Sequence, residues 1–201
     1  MKLHFMFTSP PSTIKIKGKE FYGFQHSGKV NKNMYNKNIM YPQLETPRIQ
    51  LQLLTLDHVE EVFSLFSDSE ITKFMDIEPC KTLEEAEEII QFHIDDSGCR
   101  WGLFEKESSQ FIGTIGFHYL RKADEFIAEV GFDLHKAYWG KGFMTEAMKE
   151  VMSFGFSSMG LDIIDATVDP KNERSIHLMK KLGFRVEPEL KDGLLYFYLK
   201  K

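Results

Sequence analysis

The chain has 201 residues, 42% of them hydrophobic and 27% charged, and its 25 basic against 30 acidic side chains leave a net charge of −5. That length fits one domain with room for an appendage, since domains commonly run to roughly 100 to 200 residues. The balance excludes disordered, fibrous and general nucleic-acid-binding chains, and no apolar run approaches the roughly 18 residues that cross a bilayer.

Residues 1–47 hold seven lysines against Glu20 and Glu45, a charge of +5 that leaves −10 for residues 48–201. This stretch is rich in Asn, is broken by Gly and Pro, and has no helical period, so it is read as a basic N-terminal extension that need not be ordered. The bland readings are a solvated tail or a start placed too far upstream. The sharper ones are a basic arm for an anionic partner, or a strand pair over 13–24 that packs Ile14, Ile16, Phe21, Tyr22 and Phe24. Residues 1–10 lack the 7 to 15 apolar residues of a signal peptide. Cys80 and Cys99 cannot build a disulfide framework, and no C-x-x-C or H-x-x-x-H spacing offers a metal site, so a cytoplasmic protein without a metal is expected.

The domain is expected to start at Arg48. Ile49, Leu51 and Leu53 alternate with glutamines as in a half-buried strand. Thr55 caps a helix with Val59, Val62, Phe63 and Phe66 on one face, and Thr82 with Glu85 forms a capping box for a second helix that runs to Gly98. Three β runs follow, 101–106, 111–120 and 125–134, joined by links short enough to force antiparallel hairpins. After Gly142, Met144, Ala147, Met148, Val151, Met152 and Phe156 have helical spacing and read as core, with Gly160 as the stop. The strand at 163–168 should run parallel to 125–134, because a whole helix separates them. Asn172 caps a short helix that ends at Gly183, and strands near 184–187 and 194–199 flank an Asp192-Gly193 turn. The order β-α-α-β-β-β-α-β-α-β-β gives an α/β fold: a mixed, mainly antiparallel sheet with helices on both faces.

The strand around Glu129 runs into a turn containing Gly140, Lys141 and Gly142 at a helix start. Free amides there sit at the positive end of the helix dipole, and glycines allow a phosphate close approach. An ordinary tight turn is the plain alternative. A Walker loop is excluded because no Gly-Lys-Ser/Thr occurs, and a dinucleotide fingerprint fails at Thr145, where a third glycine would stand. The histidines His93, His118, His135 and His177 read as surface or satisfied core groups, with His118 placed to face a cleft from its strand.

Together, Ala137-Tyr138-Trp139-Gly140-Lys141-Gly142 followed by Phe143-Met144-Thr145-Glu146-Ala147, the second block from Asn172 through Ser175 and Met179 to Gly183-Phe184, and the opening at Pro47-Arg48 resemble the GNAT family of acyl-CoA-dependent N-acyltransferases. Within it, the branch containing ribosomal-protein alanine N-acetyltransferases is the most similar. The resemblance covers residues 47–200. It implies that the central parallel strands splay and admit the pantetheine arm of acetyl-CoA, held by the main chain of Phe132 and Leu134. Amides of Trp139, Gly140, Lys141, Gly142, Phe143, Met144 and Thr145 would take the pyrophosphate, and Asn172 and Ser175 would face the thioester.

The family's Arg or Gln at the first motif position is Ala137 here, which removes a side-chain contact and keeps the backbone cradle. The position at which many relatives carry a general-acid Tyr is Met179, which cannot donate a proton. Ser175 is the substitute donor the branch suggests, with helix capping beside Asn172 as its plain role. Glu129 is the first choice of base and Glu189 the second; a strand carboxylate paired with a lysine is the plain role of Glu129. The function implied is transfer of acetyl to a primary amine such as a protein N-terminus. A small-molecule amine acceptor, or a CoA-binding module that has lost catalysis, are the alternatives. No membrane or direct nucleic-acid partner is expected, and the oligomeric state is open, a homodimer among the options.

Overall fold

A computed structural model of the chain describes residues 39–96 and 98–201. Most of the basic extension, including the strand pair over 13–24, lies outside the described residues.

The strands are β1 Leu44–Glu45, β2 Ile49–Leu53, β3 Cys99–Glu105, β4 Phe111–Lys122, β5 Phe126–Leu134, β6 Ile163–Val168, β7 Arg185–Val186 and β8 Leu195–Lys200. The helices are α1 Val59–Phe66, α2 Ser69–Thr72, α3 Leu83–Asp95, α4 Phe143–Phe154 and α5 Glu173–Lys181. All strands join one sheet in the order β1-β2-β3-β4-β5-β6-β8-β7, antiparallel everywhere except at β5–β6. The mixed sheet and its single parallel step thus agree with the chain-order reading.

The sheet's faces differ in chemistry. On one, Trp101, Ile115, Phe117, Val130 and Ala166 are buried, and α4 lies over them, with Phe154 edge-on to Trp101 at 5.7 Å. Gly155 follows α4 where even a methyl group would lie 2.8 Å from the Phe117 ring, so a larger residue would lift the helix off the sheet. The chain then makes one wide π turn, Gly155–Met159, which takes Phe156 out of the regular helix. On the other face lie Arg100, Thr114, His118, Glu129, Asp133 and Asp165, with α3 across them and His93 at 4.9 Å from the His118 ring.

Several boundaries differ from expectation. β1 lies before Arg48, and Ile39, Tyr41 and Leu44 pack against the core, while Trp101 Nε1 donates to Pro42 O at 2.9 Å. Ile39, Tyr41 and the strand Leu44–Glu45, on the extension's side of the seam, therefore pack with the residues that follow it. Thr82 Oγ1 accepts from Glu85 N–H as a cap should, but the Glu85 carboxylate reaches one residue further back, to Lys81 N–H at 2.6 Å. β4 runs on to Lys122 through an irregularity at Tyr119, whose φ is +47°, so the link expected at 121–124 is shorter. The last two strands are exchanged in space: β8 inserts beside β6 and leaves β7 at the edge.

Candidate active site

A gap opens where the pairing of β5 with β6 ends. The two run side by side through Ile127–Ile163, Ala128–Ile164 and Glu129–Asp165. Beyond that point β5 stays with β4 to its end at Leu134, and β6 stays with β8 as far as Val168. His135 N–H donates to Ile112 O at 2.8 Å, which fixes the phase of β5 against β4. Stepping back by two, Asp133, Gly131 and Glu129 turn their backbone groups to β4, so those of Val130, Phe132 and Leu134 face the gap. An extended ligand can pair with such a strand edge as though it were an added strand. Leu134 O, one of the main-chain groups expected to hold such a ligand, also accepts from Trp139 Nε1 at 2.7 Å, which leaves the Leu134 N–H facing the gap beside the groups of Val130 and Phe132.

At the mouth of the gap the chain turns into α4. Gly140 and Gly142 have φ of +73° and +83°, a region that costs a residue with a side chain about 1–2 kcal/mol. Gly142 caps α4 with no side chain, so the first amides of the helix, on Phe143, Met144 and Thr145, are open to an anion. Nothing lies within 4 Å of where a Gly140 side chain would begin. The residues present therefore fit a pyrophosphate received by main-chain amides. Gly140→Ala is expected to weaken CoA binding about tenfold while lowering Tm by only a few degrees, checked by calorimetry and thermal melting.

The turn is fixed from behind. Glu146 in the first turn of α4 accepts from Thr46 Oγ1 (2.6 Å), Arg48 N–H (2.9 Å) and Arg48 Nε (2.7 Å). Arg48 Nη1 also donates to Lys141 O at 3.1 Å, and its guanidinium lies 4.2 Å over the Phe143 ring. Against the upward push of burial, these bonds hold the Glu146 carboxyl below its ordinary value.

Where the strands part, two carboxylates lie side by side on the polar face. Burial first, and then the neighbouring Asp165, push the Glu129 carboxyl up to about 7, with Thr167 pulling against them through a 3.0 Å hydrogen bond. The residue is only half-buried, so water and a ligand can reach it. Asp165 is buried, pairs with Arg121 and accepts from Tyr196 O–H at 2.6 Å. Its Oδ1 has no hydrogen-bond partner among the described residues, and burial pushes its carboxyl up despite Arg121. One carboxylate shifted into the neutral range beside another is a usual signature of proton-transfer chemistry.

Behind Glu129 the polar face continues as a buried network. Arg100 pairs with Asp133, donates Nε and Nη2 to Thr114 Oγ1 (3.0 and 2.7 Å), and places Nη1 at 3.0 Å from His118 Nε2. Arginine only donates, so His118 Nε2 is the acceptor and the neutral ring carries its proton on Nδ1, 3.6 Å from Asp96 Oδ2. Burial lowers the pKa of both His118 and His93.

α5 brings the second set. Asn172 Oδ1 accepts from Ser175 N–H at 3.2 Å, so Asn172 performs the cap and the buried Ser175 contributes its amide, leaving its hydroxyl out of the cap. Met179 is fully buried core. Glu189 is exposed in the loop before β8 and shares no hydrogen bond or ion pair with the carboxylates at the gap. Among the described residues no group of His, Cys, Asp and Glu could hold a metal ion.

The Thr46–Arg48–Glu146 clamp, Asp165 and the Arg100 network escaped sequence reasoning. They join residues as many as 100 positions apart, and no local period marks them. The one available signal was alternation, which places Arg100, Thr114, His118 and Asp133 on one face of three paired strands.

Residues 48–185 match a family model described as the acetyltransferase (GNAT) domain. The chain is 36% identical to an uncharacterised N-acetyltransferase, YoaA, of Bacillus subtilis, over 80% of its own length and 89% of the relative's. It is 28% identical to the spermidine N(1)-acetyltransferase of Escherichia coli, over 71% and 75%. The crystal structure of a ribosomal-protein-S5-alanine acetyltransferase from Vibrio fischeri superposes with a TM-score of 0.65 at 19% identity, covering 80% of this chain and 97% of that one.

Proposed function

From the premise that this chain belongs to the GNAT acetyltransferase family and is an N-acetyltransferase, we propose that it transfers acetyl from acetyl-CoA, bound in the gap between β5 and β6, to a cationic primary amine at Glu129. The observation that carries this reading is the end of strand pairing at Glu129–Asp165, which puts a carboxyl of raised pKa at the apex of a strand-lined gap. Acetyl-CoA supplies an activated thioester. Val130 and Phe132 pair with its extended arm, and the amides of residues 139–145 receive its pyrophosphate. Glu129 takes the proton of the ammonium acceptor, so the free amine can attack the thioester carbonyl. Attack leaves a second proton to be lost from the amine nitrogen, and the Ser175 hydroxyl relays it to the departing thiolate, taking one proton as it gives one. Glu129 is preferred to Glu189 as base because it lies at the divergence and has the shifted carboxyl, whereas Glu189 is exposed.

The acceptor is read first as a protein N-terminal amine. Glu129, Asp165 and the surplus of acid in residues 48–201 favour a polyamine as the second reading, which the name of the E. coli relative also suggests. No helix among the described residues is long and apolar enough to cross a membrane, and we place the protein in the cytoplasm. Free-thiol release from acetyl-CoA, measured with N-terminal peptides and with spermidine, separates the two acceptors. Turnover with peptides alone supports the first reading and turnover with spermidine alone supports the second. Tight binding without any transfer would make the protein a CoA-binding module.

A further inference from the structure

We propose that Arg174 binds a phosphate of CoA from across the mouth of the gap, supplying the charged side chain that Ala137 lacks. This inference rests on the acetyl-CoA reading above. Trp139 lies in the turn after β5 and Arg174 in the first turn of α5 after β6, so their contact bridges the segments that follow the two diverging strands. The Arg174 guanidinium carbon lies 3.8 Å over the Trp139 ring. The indole is itself fixed, its N–H spent on Leu134 O. An arginine resting on an aromatic face keeps its edge of N–H donors, and that planar fork matches phosphate oxygens.

Of the other cations around the turn, Arg48 is held by Glu146 and Lys141 O, Lys136 pairs with Asp68 at 2.8 Å, and Lys141 Nζ lies 5.4 Å over the Tyr138 ring on the β5 side of the mouth. Arg174 is exposed and has no hydrogen bond or ion pair among the described residues. It lies one residue before Ser175 and stacks on a residue of the glycine turn, so its charge adds to that of the open α4 amides. The site is thus built from both sides: main chain after β5, and one side chain after β6.

The test is the Kd of CoA, read by calorimetry and by quenching of tryptophan fluorescence in the full chain. Arg174→Ala is expected to raise Kd about tenfold and Arg174→Lys less, with the affinity for acetyl-pantetheine, which has no phosphate, unchanged. Repeating the comparison with 3′-dephospho-CoA assigns the contact. A loss that persists places Arg174 on the pyrophosphate, and a loss that disappears places it on the 3′-phosphate; each supports a phosphate role. Unchanged CoA affinity in Arg174→Ala, or an equal loss toward acetyl-pantetheine, would overturn it. Failure of the wild type to bind CoA would overturn the acetyl-CoA reading as well, and is told apart because it precedes any substitution.

Discussion

Glu129→Gln is expected to lower kcat about 100-fold and to leave the KM for acetyl-CoA nearly unchanged, because a positioned general base contributes 10²–10⁴ and this one lies on the acceptor side of the gap. The amide keeps the size and the Thr167 contact but cannot take a proton. In the wild type, kcat/KM should rise with pH through about 7 as Glu129 ionises and then level, and this inflection should vanish from the residual activity of the variant. The same shift acts on stability. The folded carboxyl keeps its proton up to about 7, whereas the unfolded one releases it near 4.5. The native state therefore binds more protons between those values, and stability falls as pH rises across that window. Glu129→Gln should flatten this slope, measured as Tm against pH. A variant with normal kcat would remove Glu129 from the chemistry.

Asp133→Ala is expected to cost about 3–5 kcal/mol, a fall in Tm of roughly 10 °C, because it leaves Arg100 buried with its charge uncompensated. Thr114 and His118 remain as hydrogen-bond partners but bring no negative charge. Replacing both members by apolar residues, Arg100→Met with Asp133→Leu, should cost less than either single change, since the penalty lies in the broken pair. Chemical denaturation of the single and double variants measures this. If Asp133→Ala melted with the wild type, the network would not stabilise the fold. Its burial of neutral His93 and His118 has a consequence of its own sign. Both bind protons less readily folded than unfolded, so stability should be lost as pH falls below about 6.5.

Much of the architecture was legible because it is written locally. β6 was placed at its observed ends from a short β-branched run, and the parallel step followed from the length of the intervening helix. The glycine turn was legible because positive φ at Gly140 and Gly142 demands that residue type. What local pattern could not give was spatial order at the sheet edge, where the chain's last strand passes inside the one before it. Nor could it give contacts of long sequence separation. Arg48 was read only as the start of the domain and part of its family-like opening, yet it braces the turn 93 positions later at Lys141. Glu129 was selected for its place on the strand that leads to the glycine turn and is implied to splay; its raised carboxyl also needs Asp165, which pairs beside it only through the parallel register. Trp139 was read for its amide, and its indole turned out to occupy Leu134 O and to support Arg174.

The most direct measurement incubates the full chain with acetyl-CoA and a panel of N-terminal peptides and polyamines, and follows the amine by mass spectrometry. The expected result is an acceptor that gains one acetyl group with stoichiometric release of free CoA thiol, and that loses the gain in Glu129→Gln. CoA binding with no acetylated amine from any member of the panel, or an equal yield from Glu129→Gln, would contradict acetyl transfer at the point where β5 and β6 part.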